Sequence, residues 1–150
     1  MGQKSFNIRI YGLLINARNE ILIANEQYKN ILITKFPGGG LEFGEGLIDC
    51  LVREFKEELD LEITVLSHFY TTDFFVESIF NPDNQIVSVY YFVETNTIIP
   101  DSYFEQNKDS NYKGELHFTW LPINTISEKY FTLPIDKHVA NLLKNIFKNP

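Results

Sequence analysis

Cysteine and long apolar runs are scarce in this sequence of 150 residues. The single cysteine, Cys50, cannot form an internal disulfide, which is compatible with a reducing compartment. No segment approaches the roughly 18 consecutive apolar residues of a membrane-spanning helix. The opening residues, MGQKSFNIRI, lack the apolar run of a signal peptide. These absences predict a cytoplasmic protein that has no membrane as partner.

A basic stripe is missing as well. The net charge is −7, and the segment from Glu42 to Glu62 accounts for most of it, with eight acidic and two basic residues. The rest of the chain, with 12 acidic and 11 basic residues, is nearly neutral. Because binding to a nucleic-acid duplex depends on clustered lysine and arginine, this distribution argues against such a partner and directs attention to the acidic segment.

The length and the 44% hydrophobic content predict one domain, residues 1–150, with one buried core. Runs rich in β-branched and aromatic residues predict strands over residues 6–15, 21–24, 30–36, 63–72, 73–80, 86–95 and 115–121. The polar stretch 96–114 predicts a long loop, and Thr125 and Glu128, at capping-box spacing, predict a short helix. A final amphipathic helix is predicted by an apolar face made of Ile135, Val139, Leu142, Leu143, Ile146 and Phe147. The pattern favours a mixed sheet with at least two helices packed on it.

The acidic segment also has helical periodicity. Its apolar residues recur at helical spacing and predict a stripe that faces the core, made of Ile48, Leu51, Val52, Phe55 and Leu59. Glu54, Glu57 and Glu58 are spaced i, i+3 and i+4, so they project together from another face of the same helix. Each like-charge pair at this spacing costs a few tenths of a kcal/mol in an isolated helix.

A solvated acidic face is the ordinary explanation for such a cluster, but two features favour a divalent cation site. The helix follows a glycine-rich loop, in which the backbone can approach a bound group closely. Its glycines are Gly38, Gly39, Gly40, Gly44 and Gly46. Clustered carboxylates are also the ligands that Mg²⁺ prefers, and this ion leaves its remaining positions to water and substrate phosphates. The sequence therefore predicts a metal site on this helix.

The segment from Gly39 to Leu61 resembles the Nudix box, G-x5-E-x7-R-E-U-x-E-E-x-G-U, in which U is a bulky aliphatic residue. The matching charged and glycine positions are Gly39, Glu45, Arg53, Glu54, Glu57 and Glu58. Phe55 replaces an aliphatic residue at a core position, which is expected to change packing alone. Asp60 replaces the glycine that follows the helix. Since Asp tolerates a left-handed conformation better than most residues, we expect a small stability cost there and no loss of chemistry.

The resemblance implies an α/β fold, a Nudix-type α/β/α sandwich with a mixed β-sheet. It also implies hydrolysis of a nucleoside diphosphate linked to another moiety, with Mg²⁺ or Mn²⁺ as cofactor. Carried over to this chain, Glu54, Glu57 and Glu58 become metal ligands, and a backbone carbonyl at Gly38 or Gly39 adds a further one. Glu54 doubles as a candidate base, and Arg53 orients the glutamates.

Other candidate residues lie outside the box. The family often supplies a further acid as base or ligand, for which Glu115 is the first choice and Glu94 the second. Three cations of the first half, Arg9, Arg18 and Lys35, could reach a phosphate, although a solubilising surface role is favoured for each of them. Candidates for stacking on a base are Tyr70, Phe74 and Tyr91.

The expected partner is therefore a small nucleoside diphosphate derivative, and a homodimer stays open. Two alternatives remain. The first is an inactive Nudix-fold nucleotide-binding or regulatory module, which is disfavoured because the box acids are all present. The second is an isomerase of the isopentenyl diphosphate type. It is disfavoured because Cys50 lies on the box helix and no separate cysteine is available as its acid.

Overall fold

In the part of the chain that the structure describes, residues 2–106 and 115–148, seven strands and three helices form a layered α/β architecture. The structure is a computed structural model, and the side chains of residues 105, 106 and 115 lie outside its description. The strands are β1 (Ser5–Leu14), β2 (Glu20–Tyr28), β3 (Ile31–Lys35), β4 (Gly38–Gly40), β5 (Thr64–Thr71), β6 (Asn84–Glu94) and β7 (Glu115–Pro122). The helices are α1 (Leu47–Leu59), the short α2 (Tyr103–Gln106) and α3 (Pro134–Phe147).

The strands form two sheets. The first has the order β4-β1-β6-β5 and is mixed, because β1 runs parallel to β6 and antiparallel to β4. The second, β3-β2-β7, is antiparallel. Alternate residues of β1 serve two separate cores: Ile10 and Leu14 pack with α1, whereas Tyr11 and Leu13 pack with α3. The predicted α/β/α arrangement with a mixed sheet is confirmed.

Most predicted strands are present, and three predictions, of a loop, a strand and a capped helix, are corrected. The glycines of β4 read as a loop in the sequence, yet their backbone pairs with Arg9, Ile10 and Tyr11 of β1. The strand predicted over residues 73–80 is reduced to an isolated bridge between Glu77 and Gln85. The predicted capping box is wrong, because the hydroxyl of Thr125 donates to the carbonyl of Pro122. Two short 3₁₀ turns, Ile123–Thr125 and Glu128–Tyr130, replace the expected helix.

The core-facing side of α1 is narrower than the apolar stripe predicted. Leu51, Phe55 and Leu59 are buried as expected, but Ile48 and Val52 are 51% and 39% exposed. These two residues lie four positions apart, on a flank of the helix that the sheets do not reach. No helix in the described residues combines the length and apolarity needed to cross a membrane.

Phe55, the aromatic residue at an aliphatic position, packs against a glycine of β1. A Cβ atom placed on Gly12 would lie 2.6 Å from Cε2 and 2.8 Å from Cζ of the Phe55 ring. Both residues are fully within the core that α1 forms with the sheet. The larger ring is therefore accommodated by the missing side chain on the facing strand.

We expect Gly12→Ala to destabilise the fold by about 1–3 kcal/mol, because the added methyl overlaps the ring of Phe55. Phe55→Leu should leave a smaller defect, and the double variant should recover much of the stability that Gly12→Ala loses. Urea unfolding of the four proteins measures this coupling. Strictly additive losses would show that the two residues are not packed as described.

Asp60 ends α1 in the left-handed conformation, with φ 53° and ψ 37°, as the position in the box predicts. Its amide donates to the carbonyl of Lys56 at 3.1 Å, and its carboxylate pairs with the Lys56 ammonium at 2.9 Å. The hydroxyl of Tyr103 donates to the carbonyls of Leu59 and Asp60, at 3.0 and 2.9 Å. Short α2 is thereby attached to the C-terminal end of α1.

Asp60→Gly should raise stability by about 0.5 kcal/mol, because glycine relieves the left-handed strain and removes an acid from the negative end of the helix dipole. Part of the gain is offset by the lost contact with Lys56 and by the greater freedom of glycine in the unfolded chain. Asp60→Ala is the matched control and should melt lower than wild type, since it loses the ion pair and keeps the strain. A glycine variant that melts lower than wild type would contradict this explanation.

Candidate functional site

The position of Glu54 depends on the glycine strand β4. A Cβ atom on Gly39 would lie 2.4–2.6 Å from the carboxylate atoms of Glu54, so this carboxylate occupies the space that any side chain would fill. The Glu54 side chain is only 12% exposed. Gly38, the predicted carbonyl ligand, begins β4, is buried and lies opposite Tyr11. The glycine-rich segment thus brings its backbone against Glu54, the first glutamate of the acidic helix face.

Arg53 holds three glutamates of the box in one network. Its guanidinium donates to both carboxylate oxygens of Glu45, at 2.9 and 2.7 Å. Nη1 donates to Glu54 at 3.0 Å and to Glu57 at 3.1 Å. Nη2 also reaches the carbonyl of Gly40 at 3.1 Å. The hydrogen bond from Arg53, more than any other contact, lowers the pKa of Glu45 to about 2.

Glu58 completes the acidic face and is more buried than Glu57. Its carboxyl is largely buried, and burial followed by the charge of Glu54 raises its pKa to about 8, against the opposing effect of Lys35. Glu57, in contrast, is 60% exposed. Without a cation the surroundings do not stabilise a negative charge on Glu58, so its carboxyl is mostly protonated at neutral pH. A divalent ion would favour its ionised form.

The donor set suits Mg²⁺ or Mn²⁺, because Glu54, Glu57 and Glu58 supply carboxylate oxygens from one helix face. In the described residues, no three acidic, histidine or cysteine side chains converge closely enough to hold an ion as they stand. Arg53 engages the oxygens of Glu54 and Glu57 in this arrangement. The exposed side chain of Glu57 has room to rotate away from Arg53, so the chemistry of the site fits the ion.

A cavity of about 360 Å³ lies beside the box, on the α3 side of β1. This volume is in the range of small-molecule sites, which run from about 300 to 1,000 Å³. Its walls are mainly apolar and aromatic and include Tyr11, Tyr28, Ile33, Val76, Ile79, Phe80, Ile86, Tyr90, Leu133 and Ile135. Five charged side chains also line it: Glu77, which is exposed, and four that are not, Arg9, Glu26, Lys35 and Asp136.

The cations Arg9 and Lys35 are not solubilising surface residues. Nε of Arg9 donates to the hydroxyl of Tyr11 at 2.7 Å, and the ammonium of Lys35 pairs with the carboxylate of Glu26, which is buried. The sequence of β1 could have revealed the inward placement of Arg9, because position 9 lies on the same face of the strand as Tyr11 and Leu13. Arg18, by contrast, is an exposed surface residue, as its predicted role requires.

Asp136 and Tyr90 form a buried polar pair that the sequence did not reveal. The Tyr90 hydroxyl donates to Oδ1 of Asp136 at 2.7 Å, and both residues are at most 3% exposed. Burial raises the pKa of Asp136 to about 6, opposed by the hydrogen bond from Tyr90 and the charges of Lys35 and Arg9. In the sequence, Asp136 reads as an ordinary acid in the first turn of α3.

The candidate bases and stacking residues have other placements. Glu115 begins β7, with its backbone opposite Gln27 of β2, and its side chain lies outside the described part of the chain. Glu94 ends β6, five residues beyond Val89. Val89 pairs with Ile10, which in turn pairs with Gly39 of the box. Glu94 therefore lies about 16 Å along the strand from the level of Gly39. The aromatic residues that line the cavity do not include the predicted Tyr70, Phe74 and Tyr91.

Comparison with known proteins identifies a matching family profile and similar folds. A family profile described as the NUDIX domain matches residues 6–142. No curated protein matches the sequence. The fold is similar to a MutT protein from Methanosarcina mazei Go1, with TM-score 0.70 and 17% identity over 99% of this chain and 100% of that one. It is also similar to a NUDIX hydrolase from Nitrosomonas europaea, with TM-score 0.70 and 16% identity over 97% and 92% of the two chains. An ADP-ribose pyrophosphatase from Streptococcus suis has TM-score 0.59 and 15% identity over 96% and 94%.

The raised pKa of Asp136 predicts a pH dependence of stability. Because its folded-state pKa, about 6, exceeds the ordinary 3.8, the folded protein binds the proton more tightly than the unfolded chain. Stability from this group is therefore lost as the pH rises from about 4 to about 6. Asp136→Asn should gain on wild type across that window by at most about 3 kcal/mol. Urea unfolding at pH 4 to 7 measures the difference, and a pH-independent difference would contradict the assignment.

Proposed function

Since this chain belongs to the Nudix family of hydrolases, which act on diphosphate bonds, we propose that it is a divalent-metal-dependent pyrophosphohydrolase for a small nucleoside diphosphate derivative. The network of Arg53 with Glu45, Glu54 and Glu57 carries the proposal. The resemblance assigns roles to Arg53, Glu54 and Glu57, and the network lies beside a cavity of suitable size. The proposal treats residues 1–150 as a single domain.

The residues proposed to hold Mg²⁺ or Mn²⁺ are Glu54, Glu57 and Glu58, with the backbone carbonyl of Gly38. When bound, the ion would neutralise diphosphate charge and increase the acidity of the attacking water. Arg53 keeps two of the glutamates oriented before any ligand arrives, because its hydrogen bonds already fix their carboxylates. Preformed orientation of this kind lowers the reorganisation needed during the reaction.

The general base is proposed to be Glu54 or Glu115. Glu54 has a mostly buried carboxylate within the box, which keeps it positioned for proton transfer. Glu115 starts the strand next to β2, where Glu26 and Tyr28 line the cavity. Comparing the pH dependence of turnover in Glu54→Gln and Glu115→Gln distinguishes the two, since the base variant loses the acidic limb of the profile.

The cavity is proposed to hold the nucleoside. Apolar and aromatic walls suit a flat ring, and the cavity is close enough to the box for Arg9 to interact electrostatically with Glu54. A substrate whose ring enters this cavity would direct its phosphates towards the glutamates of α1.

The isomerase alternative is not favoured by the structure around Cys50. Cys50 is buried, its thiol lies 3.5 Å from the carbonyl of Gly40, and burial raises its pKa to about 12. A thiol in this setting is a packing group and not an exposed acid. The inactive binding module lacks support for a different reason, because the box retains all its acids in contact or in proximity.

Hydrolysis should require Mg²⁺ or Mn²⁺ and stop with chelator, because an acidic site cannot hold a diphosphate unaided. Glu57→Gln should lower turnover by about 100-fold or more while the fold survives. The matched control is Glu62→Gln, at an exposed acid just beyond α1, which should retain turnover. A screen of nucleoside triphosphates, dinucleotides and nucleotide sugars, read by product analysis, supplies the substrate.

Full activity in excess chelator would overturn the metal-dependent mechanism. Wild-type turnover in Glu57→Gln would overturn the assignment of that ligand. If no substrate class yields phosphate-containing products while nucleotides still bind, the binding-module alternative replaces the enzyme.

A further inference from the structure

The guanidinium of Arg9 lines the cavity. Its Nε is engaged by Tyr11, but Nη1 and Nη2 have no acceptor among residues 2–106 and 115–148. Nη1 lies beside β4, 3.6 Å from where a Cβ on Gly40 would be, so the strand leaves space around the guanidinium. An arginine held in this way presents two parallel N–H donors to whatever enters the cavity.

The other charges of the cavity oppose an anionic occupant near Arg9. Lys35 is neutralised by its contact with Glu26. Asp136 adds a second carboxylate, of which Oδ1 accepts from Tyr90. Because the charge of Glu26 is balanced by Lys35, the carboxylate that would repel a phosphate near Arg9 is that of Asp136. A neutral ring that accepts from Arg9 and donates to Asp136 satisfies both groups.

The surrounding walls favour a flat ring. Tyr28 and Phe80, from two different segments of the chain, meet edge to face at 4.9 Å and line the cavity. Ile33, Ile86 and Ile135 add aliphatic surface. Heteroaromatic rings gain by packing against such walls, while their edges stay available for directed hydrogen bonds.

Among the common bases, guanine matches this arrangement. An arginine fork requires two adjacent acceptors, which the O6 and N7 atoms of an oxopurine provide. Adenine carries a donor at position 6, and pyrimidines lack N7. The N1–H of guanine, next to O6, is a donor for a carboxylate. We infer that Arg9 is a specificity-determining residue that selects an oxopurine nucleotide by its O6 and N7 atoms, with Asp136 accepting from N1–H.

This inference rests on the proposed function, because it names the base of that substrate, yet binding without hydrolysis can test it. Guanosine, inosine, 7-deazaguanosine and adenosine are titrated calorimetrically into chelator-treated protein. Uncharged nucleosides need no metal. Guanosine and inosine, which share O6 and N7, should bind on the order of 10- to 100-fold more tightly than 7-deazaguanosine and adenosine.

The variants locate the effect. Arg9→Met and Arg9→Lys should both reduce affinity for guanosine to the level of 7-deazaguanosine, since lysine keeps the charge but loses the fork. Neither should weaken adenosine binding by a comparable factor. Arg18→Met is the matched control, at an exposed arginine, and should bind as wild type. Melting curves confirm folding, and if Arg9→Met unfolds, the four nucleosides with wild type and Arg9→Lys still decide the question.

Equal affinity of wild type for all four nucleosides would overturn the inference. A uniform loss across the four in both Arg9 variants would also overturn it, because Arg9 would then be structural. Hydrolysis that shows no base preference refutes the specificity and leaves the proposed function intact. Base selection that depends on Arg9 in a protein with no hydrolytic activity supports the inference and refutes the enzyme.

Discussion

The candidate catalytic centre depends on one guanidinium that is surrounded by carboxylates. Glu45, Glu54 and Glu57 all accept hydrogen bonds from Arg53, which also reaches the carbonyl of Gly40. These contacts join the loop before α1, the helix itself and the glycine strand β4 into one unit. Without Arg53 the like charges of the acidic helix would repel one another and the loop would lose its attachment. The same contacts orient the glutamates before a ligand arrives.

Strand β1 separates the two halves of the site. Its residues alternate between faces, so that Ile10 packs with α1 while Arg9 and Tyr11 face the cavity. The acidic helix and the cavity are consequently held by the backbone of a single strand. The box requires glycine at Gly39 because the carboxylate of Glu54 occupies the space that a side chain there would fill.

The two departures from the family pattern have local compensations. Phe55 is larger than the usual aliphatic residue, and Gly12 of the facing strand leaves the space for its ring. Asp60 adopts the left-handed conformation expected of the usual glycine, and contacts from Lys56 and Tyr103 surround it. Each substitution is therefore accompanied by a matching feature elsewhere, and neither displaces the glutamates of α1.

Features controlled by short-range order were predictable from the residues alone. The spacing of the glutamates, the helix that carries them and the left-handed residue at Asp60 all follow from neighbours within one or two turns. The exposure of Ile48 and Val52 was not predictable, because periodicity defines a helix face without saying how far the packed sheets extend over it. The strand formed by Gly38–Gly40 was also missed, since glycine lacks strand propensity and pairs here only because β1 lies alongside.

The residues that form the cavity come together through long-range packing. Arg9, Lys35, Tyr90 and Asp136 lie on four different elements, and Tyr90 and Asp136 are 46 positions apart in the sequence. Each of them, taken alone, resembles an ordinary surface or core residue. The sheets and α3 bury these residues together. Their charges and donors then interact with one another, because burial removes the water that would otherwise satisfy each group separately.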